Sequence, residues 1–292
     1  MLFLQSPTYR LPRQRQHRIS RTATGVLKTR KQIWKSTGLT THLFITDPHA
    51  HYQHHNKRAE YLGHLINNTK PDTVIFGGDI WDMPSLSAYD KGKRSFQGRT
   101  YRADIDSGLD FLDRTFSIVK AQKKRQPRWV FLEGNHEYRI KKAINLSPEL
   151  DGAISFNDLN LDYFFNEVVE YEGGTPGVTE IDGIHYAHYF ISGVMGRPIS
   201  GEHPAHSLVS KQSASCSAGH IHTADYHIRT AADGSKLHGL LGGCFQDYDS
   251  DWAGKANRLW WRGCVLKRGV DNGNYAPQFI TIEELKKEYG DS

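Results

Sequence analysis

The chain has 292 residues, with 37 Lys and Arg against 32 Asp and Glu and a formal net charge of +5. No apolar run nears the ~20 residues that span a bilayer, and the leading MLFLQSP is too poor in apolar residues for a secretion signal. Three widely spaced cysteines (Cys216, Cys244, Cys264) with no CxxC suggest neither a disulfide framework nor a thiolate zinc site, and they fit a reducing, cytoplasmic setting.

Charge is concentrated at the start. Residues 1–46 hold nine of the 37 basic residues and no acid, so the remaining 28 basic and 32 acidic residues leave a net of −4. The predicted organisation is a basic N-terminal extension over residues 1–40, with a helix at Val26–Lys35, followed by one domain over 41–292. In chain order, THLFITD reads as a buried strand ending in an acid, and RAEYLGHLINNTK as a helix with Tyr61, Leu62, Leu65 and Ile66 on one face. PDTVIFGGD is a second strand ending in an acid. DIDSGLDFLDRTFSIVKAQ is a second amphipathic helix, with Ile105, Leu109, Leu112, Phe116 and Val119 inward. RWVFLEGNHE is a third strand opening onto Gly-Asn-His.

Strand–helix–strand alternation implies parallel strands with their C-terminal ends on one edge, where open α/β sheets bind ligands. Asp47, Asp79 and Asn135–His136 therefore converge. From VVEYEG to WWRGCVLKRG the chain is β-rich with Gly-Gly and Asp-Gly turns, which predicts a mostly antiparallel second sheet. Helices are expected at HPAHSLVSKQS and IEELKKEYG. Two packed sheets in one domain follow.

Five polar motifs fall at predicted strand ends: Asp47-x-His49, Gly78-Asp79-x-x-Asp82, Gly134-Asn135-His136-Glu137, His188, and Gly219-His220-x-His222. Alone, an HxH is a pair of polar positions on one strand face, and a GNH marks a turn. Together and in this order they resemble the signature of the calcineurin-like metallophosphoesterase superfamily, over roughly residues 41–270. The resemblance implies an α/β fold of two packed mixed β-sheets flanked by helices, a four-layer α/β/β/α sandwich. It also implies two divalent metal ions. Asp47, His49, Asp79 and His222 would hold one ion, and Asp79, Asn135, His188 and His220 the other, with a metal-bridging hydroxide as nucleophile. His136 would be the general acid, with Asp82 holding its other nitrogen and raising its pKa. His185 shares a predicted strand with His188, but the strand-end position favours His188. The mixed N/O ligand set suits Mn first, with Fe, Zn or Ni as alternatives.

His51, His54, His55, His64, His203 and His206 read as surface residues, with His203 and His206 also placed in a loop that could line the site. Asp247, Asp249 and Asp251 lack the glycine and glutamate of a calcium loop, DKGKRS lacks a P-loop glycine, and Trp260–Trp261 read as core. In the resembling protein phosphatases an arginine that binds phosphate follows the second Asp of GDxxD; here Met83 stands there, which favours a phosphodiesterase or nuclease. Asn135 and Arg197 are the candidate substrate-binding residues. The texture around HYFISGVMGRPISGEHPAHS is similar to phosphoesterases of tailed phages, which implies a DNA or nucleotide substrate and a host-cytoplasm location. The basic extension is then either a solvated tail or surface strap, or a nucleic-acid contact. The alternatives are a phosphomonoesterase and a non-catalytic binding module on the same fold; such a module is expected to lack ligands, and none is missing here.

Overall fold

A computed structural model describes residues 38–121 and 125–290. The first half runs β1 (Thr40–Ile45), α1 (Lys57–Thr69), β2 (Thr73–Phe76), α2 (Tyr101–Ala121), β3 (Arg128–Leu132), α3 (Tyr138–Leu146), α4 (Leu161–Phe164) and β4 (Glu167–Val169). Next come β5 (Thr179–Ile181), β6 (Ile184–Tyr186), β7 (Ile191–Ser192), β8 (Arg197–Pro198), α5 (Pro204–Gln212) and β9 (Ser215–Ala218). The chain closes with β10 (Ala224–Thr230), β11 (Lys236–Gly242), β12 (Gly263–Asp271), β13 (Asn274–Thr281) and α6 (Ile282–Tyr289). Thr40 already belongs to β1, one residue before the expected domain boundary. The basic extension up to residue 37, with its expected helix, lies outside the described residues.

The first three strands read as unbroken apolar runs because both of their faces are covered. Leu43, Ile45, Val74, Phe76, Trp129 and Phe131 point to the side of α1 and α2, where Tyr61, Leu62, Leu65, Ile66, Ile105, Leu112 and Phe116 meet them. Phe44, Ile75, Val130 and Leu132 point the other way, into a second core shared with Ile181, Ile184, Tyr186 and Leu240. A third core packs Ala205 and Leu208 of α5 on Cys216, Ala218 and Leu241. Helices, sheet, sheet and helix give the four layers expected.

The first sheet has the order β13-β12-β1-β2-β3-β4 and the second β10-β11-β9-β6-β5, with a two-stranded hairpin β7-β8 beside them. β1, β2, β3 and β4 are parallel, as the alternation predicted for the first three. The second half differs from expectation. VVEYEG supplies β4, which joins the first sheet, and β12 and β13 return to that sheet's far side. The second sheet itself is mixed: β11 and β6 each pair parallel with β9, while β10 and β5 pair antiparallel at its edges. Central parallel strands are tolerated because the first sheet covers one face and α5 the other. Both helices predicted in this half are present, as α5 and α6. No described helix is long and apolar enough to cross a membrane, and the three cysteines are free and buried.

One residue breaks the apolar layer between the sheets. Lys267 of β12 is fully buried, its Nζ donating to Tyr186 Oη at 3.0 Å and Ser217 Oγ at 2.5 Å, over the rings of Tyr186 and Tyr275. No carboxylate pairs with it among the described residues, and burial pulls its pKa well below the ordinary lysine value of 10.5. Burial thus opposes the charged form, so this lysine costs stability at neutral pH, and the cost shrinks as pH rises to the unfolded value. Lys267→Met is expected to stabilise the fold by about 1–4 kcal/mol at pH 7. The gain should shrink toward pH 10 in denaturant titrations; a variant less stable than wild type at pH 7 would contradict this account.

Candidate metal centre

Each motif lies just past the C-terminal end of a strand: Asp47 after β1, Asp79 after β2, Asn135 and His136 after β3, His188 after β6 and His220 after β9. Short main-chain bonds zip these loops together. Asp47 N donates to Gly78 O (3.1 Å), His49 N to Asp79 O (2.9 Å) and Gly219 N to His188 O (2.9 Å). Five of the seven expected ligands (Asp47, His49, Asp79, His220 and His222) have left-handed backbone, with φ between 45° and 73°. Such conformations cost free energy and concentrate where function fixes a side chain's direction.

The two aspartates are held in the same way. His220 N donates to Asp47 Oδ2 (2.9 Å) and His136 N to Asp79 Oδ1 (2.8 Å), leaving one oxygen of each free to face the cluster. Two glycines make room for this. A Cβ on Gly134 would lie 2.1 Å from Asp79 Oδ1, and one on Gly219 would lie 2.3 Å from Asp47 Oδ2. The free oxygens meet imidazole nitrogens. Asp47 Oδ1 is 3.3 Å from His222 Nε2 and 3.8 Å from His49 Nε2. Asp79 Oδ2 lies centrally, 3.4 Å from His188 Nε2, 3.8 Å from His136 Nε2 and 3.9 Å from His49 Nε2. Asp79 is thus the one carboxylate reaching both halves of the centre.

The donors fit divalent cations. His49 commits Nδ1 to Asp82 Oδ1 (3.1 Å), and His188 commits Nδ1 to Gly77 O (2.8 Å), so in the neutral rings Nε2 presents a lone pair inward. His49 Nε2 then faces His222 Nε2 at 3.1 Å, and His188 Nε2 faces Asn135 Oδ1 at 2.9 Å and His220 Nδ1 at 3.2 Å. Asp47 Oδ1 is buried and accepts no hydrogen bond. Lone pairs converging in a dry site repel unless a proton or cation lies among them. Without metal, protons take that place. Burial works against a charged His49, but the nearby Asp47 carboxylate and the bond to Asp82 lift its pKa to about 10. Likewise burial is outweighed at His188 by Asp79, giving about 9. His220 goes the other way, to about 4, because burial and the neighbouring His188 both disfavour its charge. Asp47, Asp79 and Asp82 are buried, which favours their neutral forms, yet the surrounding imidazoles hold all three below the ordinary carboxylate range.

His136 is brought to the cluster's edge, where Nδ1 bonds the carbonyl of Asp82 (2.6 Å) and lies 3.3 Å from its Oδ1. Asp82 does raise its pKa, but burial and the charge of Arg139 outweigh that, and the net shift is downward. The expected upward shift is reversed by burial and, after it, by a guanidinium that the motif pattern did not reveal. Asp82 also serves His49, a second partner that the motif did not disclose. His188 is fully buried in the cluster, whereas His185 lies on the alternate face of β6. Arg197 is exposed on β8, with no hydrogen bond or ion pair to the cluster among the described residues. His203 precedes α5 and His206 meets His227 edge to face, and among the described residues neither shows a hydrogen bond, ion pair or ring contact to the cluster. Asp247 and Asp249 pair with Arg58 and Arg262. Trp261 packs toward the inter-sheet core as expected, but Trp260 sets its ring 4.4 Å from that of His222.

One residue that sequence reasoning passed over holds two motif loops together. Glu137 Oε2 accepts from Gly134 N and Asp79 N, and Oε1 accepts from Trp81 N, at 2.9–3.0 Å. Burial and the nearby Asp79 push its pKa to about 8. The glutamate closing the GNHE motif was the only signal for it.

A model of the calcineurin-like phosphoesterase family matches residues 41–212, which include every candidate except His220 and His222. No curated protein matches the chain in sequence. Among solved structures, YfcE, a phosphoesterase from E. coli, aligns at 9% identity and a TM-score of 0.37 over 83% of this chain and 99% of its own. TT1561 of Thermus thermophilus aligns at 10% identity and 0.35, over 82% and 99%. A dimetal phosphatase from Danio rerio aligns at 12% identity and 0.37, over 84% and 99%.

Metal loading must displace the protons on His49 and His188. Calorimetric titration of the metal-free protein with Mn²⁺ at pH 7.5, in buffers of different ionisation enthalpy, is expected to show release of at least about two protons per chain. Asp79→Asn is expected to lose more metal than any other single ligand change. Uptake without proton release would mean that these rings do not face the metal.

Proposed function

The chain belongs to the calcineurin-like phosphoesterases and is a metal-dependent phosphoester hydrolase; from that premise we propose that it is a phosphodiesterase of nucleic acid or nucleotides. Asp47, His49, Asp79 and His222 would hold one divalent ion, and Asp79, Asn135, His188 and His220 the other. When bound, the ions supply positive charge that draws on the phosphoryl oxygens and makes water nucleophilic near neutral pH. As water's oxygen joins phosphorus and gives up a proton to solvent, the ester P–O bond breaks and His136 gives a proton from Nε2 to the departing oxygen. The Asp82 carbonyl and carboxylate fix that ring through Nδ1. Asn135 Oδ1 turns inward beside His188, which leaves the amide NH₂ for a phosphoryl oxygen.

The observation that carries the nucleic-acid reading is aromatic. Tyr189 lies 4.7 Å from His220 and Trp260 4.4 Å from His222, ring to ring, so both sides of the centre have an aromatic wall. Trp252, 68% exposed, continues outward from Trp260 at 5.7 Å. Stacking on such rings is worth about 1–3 kcal/mol per base and tolerates any sequence. Residues 47–292 carry a net of −4, so nine basic residues in the leading segment supply the attraction that a polyanion needs. The complete donor set does not suit a purely binding module. A phosphomonoesterase is the second reading, favoured by one guanidinium described below.

Turnover of bis(p-nitrophenyl) phosphate is expected to vanish on chelation and return with Mn²⁺, the first ion to try for this mixed donor set. His136→Ala should keep its metals yet lose roughly 10²–10⁴ in kcat, with a smaller loss for good leaving groups. Metal loss in step with rate would make His136 a ligand instead.

On DNA, log Kd against log salt should have a slope of magnitude about 4–5 if roughly five leading charges meet phosphates. Removing residues 1–37 should flatten the slope, and Trp252→Ala should weaken single-stranded DNA binding about tenfold. Both variants should turn over bis(p-nitrophenyl) phosphate within about twofold of wild type; unchanged DNA affinity in both would return the reading to small substrates.

A further inference from the structure

Arg139, in the first turn of α3, reaches back into the site that α3 follows. Its Nη1 donates to the carbonyls of Asp82 (2.8 Å) and Met83 (3.1 Å), and its Nη2 lies 3.0 Å from His136 Nε2. The head group is thus fixed by two backbone acceptors, with its second nitrogen turned to the atom that serves the leaving oxygen. Among the described residues no carboxylate lies within ion-pair distance of this guanidinium. Met83 cannot do this work, because its side chain is fully buried in the helix-side core.

Proton counting makes the arrangement informative. With Nδ1–H given to the Asp82 carbonyl, the neutral His136 ring offers Nε2 as an acceptor, and Arg139 Nη2 fills it. A ring that is to donate from Nε2 carries a hydrogen there, and two donors 3.0 Å apart then face each other. They are compatible only if each turns to an oxygen between or beside them. A half-buried cation with no carboxylate in direct contact, only the longer-range attraction of Asp104, and a donor without an acceptor are relieved by the same ligand, an anionic phosphoryl group.

We propose that Arg139 is a substrate-binding residue that donates from Nη2 to a non-bridging phosphoryl oxygen, next to the leaving oxygen served by His136. This rests on the reading of His136 as the proton donor. The second charge matters most for a dianion, so Arg139 also sets how well the enzyme accepts phosphomonoesters, such as a terminal phosphate, beside diesters. A lysine there would keep the charge but lose the fork that holds two carbonyls and reaches a third atom.

The test uses the full-length, Mn²⁺-loaded protein with Arg139→Gln and Arg139→Lys. kcat and KM are measured for p-nitrophenyl phosphate and bis(p-nitrophenyl) phosphate, inorganic phosphate binding by calorimetry, and folding by thermal melting. For Arg139→Gln, kcat/KM on the monoester is expected to fall about 10²-fold, the scale for removing one preorganised donor. The diester should lose several-fold only, and phosphate should bind at least about tenfold more weakly. Arg139→Lys should recover part of the phosphate affinity, and in a third variant, Arg139→Ala, added guanidinium should restore part of the turnover. Equal losses on both esters, or unchanged phosphate affinity in a folded variant, would overturn the proposal and leave Arg139 as a brace for the Asp82 loop. Full activity in His136→Ala would instead overturn the reading of the acid, a separate result.

Discussion

A carboxylate taken out of water sets the terms for this centre. Asp79 is almost fully buried, where a lone charge is expensive, and it stays ionised because three imidazoles from three different loops turn their Nε2 atoms toward its free oxygen. That convergence needs Asp79's other oxygen tied to His136 N, its backbone held left-handed, and no Cβ at position 134. The layers of sheet and helix deliver the loops; the electrostatics of one buried group decides where their side chains point.

Much of this was legible in the chain. The first three strands and two helices announced themselves by apolar runs, helical spacing and terminal acids, and parallel pairing follows from their alternation. The ligand candidates lay at strand ends, where a parallel sheet must bring them to one edge. His188 over His185 followed from the same rule. The second half of the chain was less legible, because a strand carries no mark of whether its partner is a sequence neighbour. β4 pairs with β3 across 34 residues of helix and turn, and β12 returns to β1 from more than 200 residues away. Such pairings are decided by which faces are already covered.

Individual contacts were the hardest to foresee. Arg139 stands on a helix that the pattern did not predict, and its reach to Asp82 and Met83 depends on that helix starting directly after the motif. Glu137 looked like the tail of a signature, yet it collects three backbone N–H groups from two loops. Trp260 and Trp261 are adjacent and alike, but extended backbone sends one ring toward the site and the other toward the core. None of these directions is written in residue type.

Asp82 gives the same oxygen to two rings, 3.1 Å from His49 Nδ1 and 3.3 Å from His136 Nδ1. One of those rings belongs to the donor set for a cation and the other to the proton path, so two functions draw on one acceptor. Linkage makes such sharing reciprocal: whatever cation binding at His49 does to the proton affinity of His136 through this carboxylate, protonation of His136 does to cation binding, by the same free energy. Cation affinity and proton affinity are therefore conjugate quantities here. Tight retention of the ion and ready release of the proton cannot be tuned independently while a single aspartate answers to both.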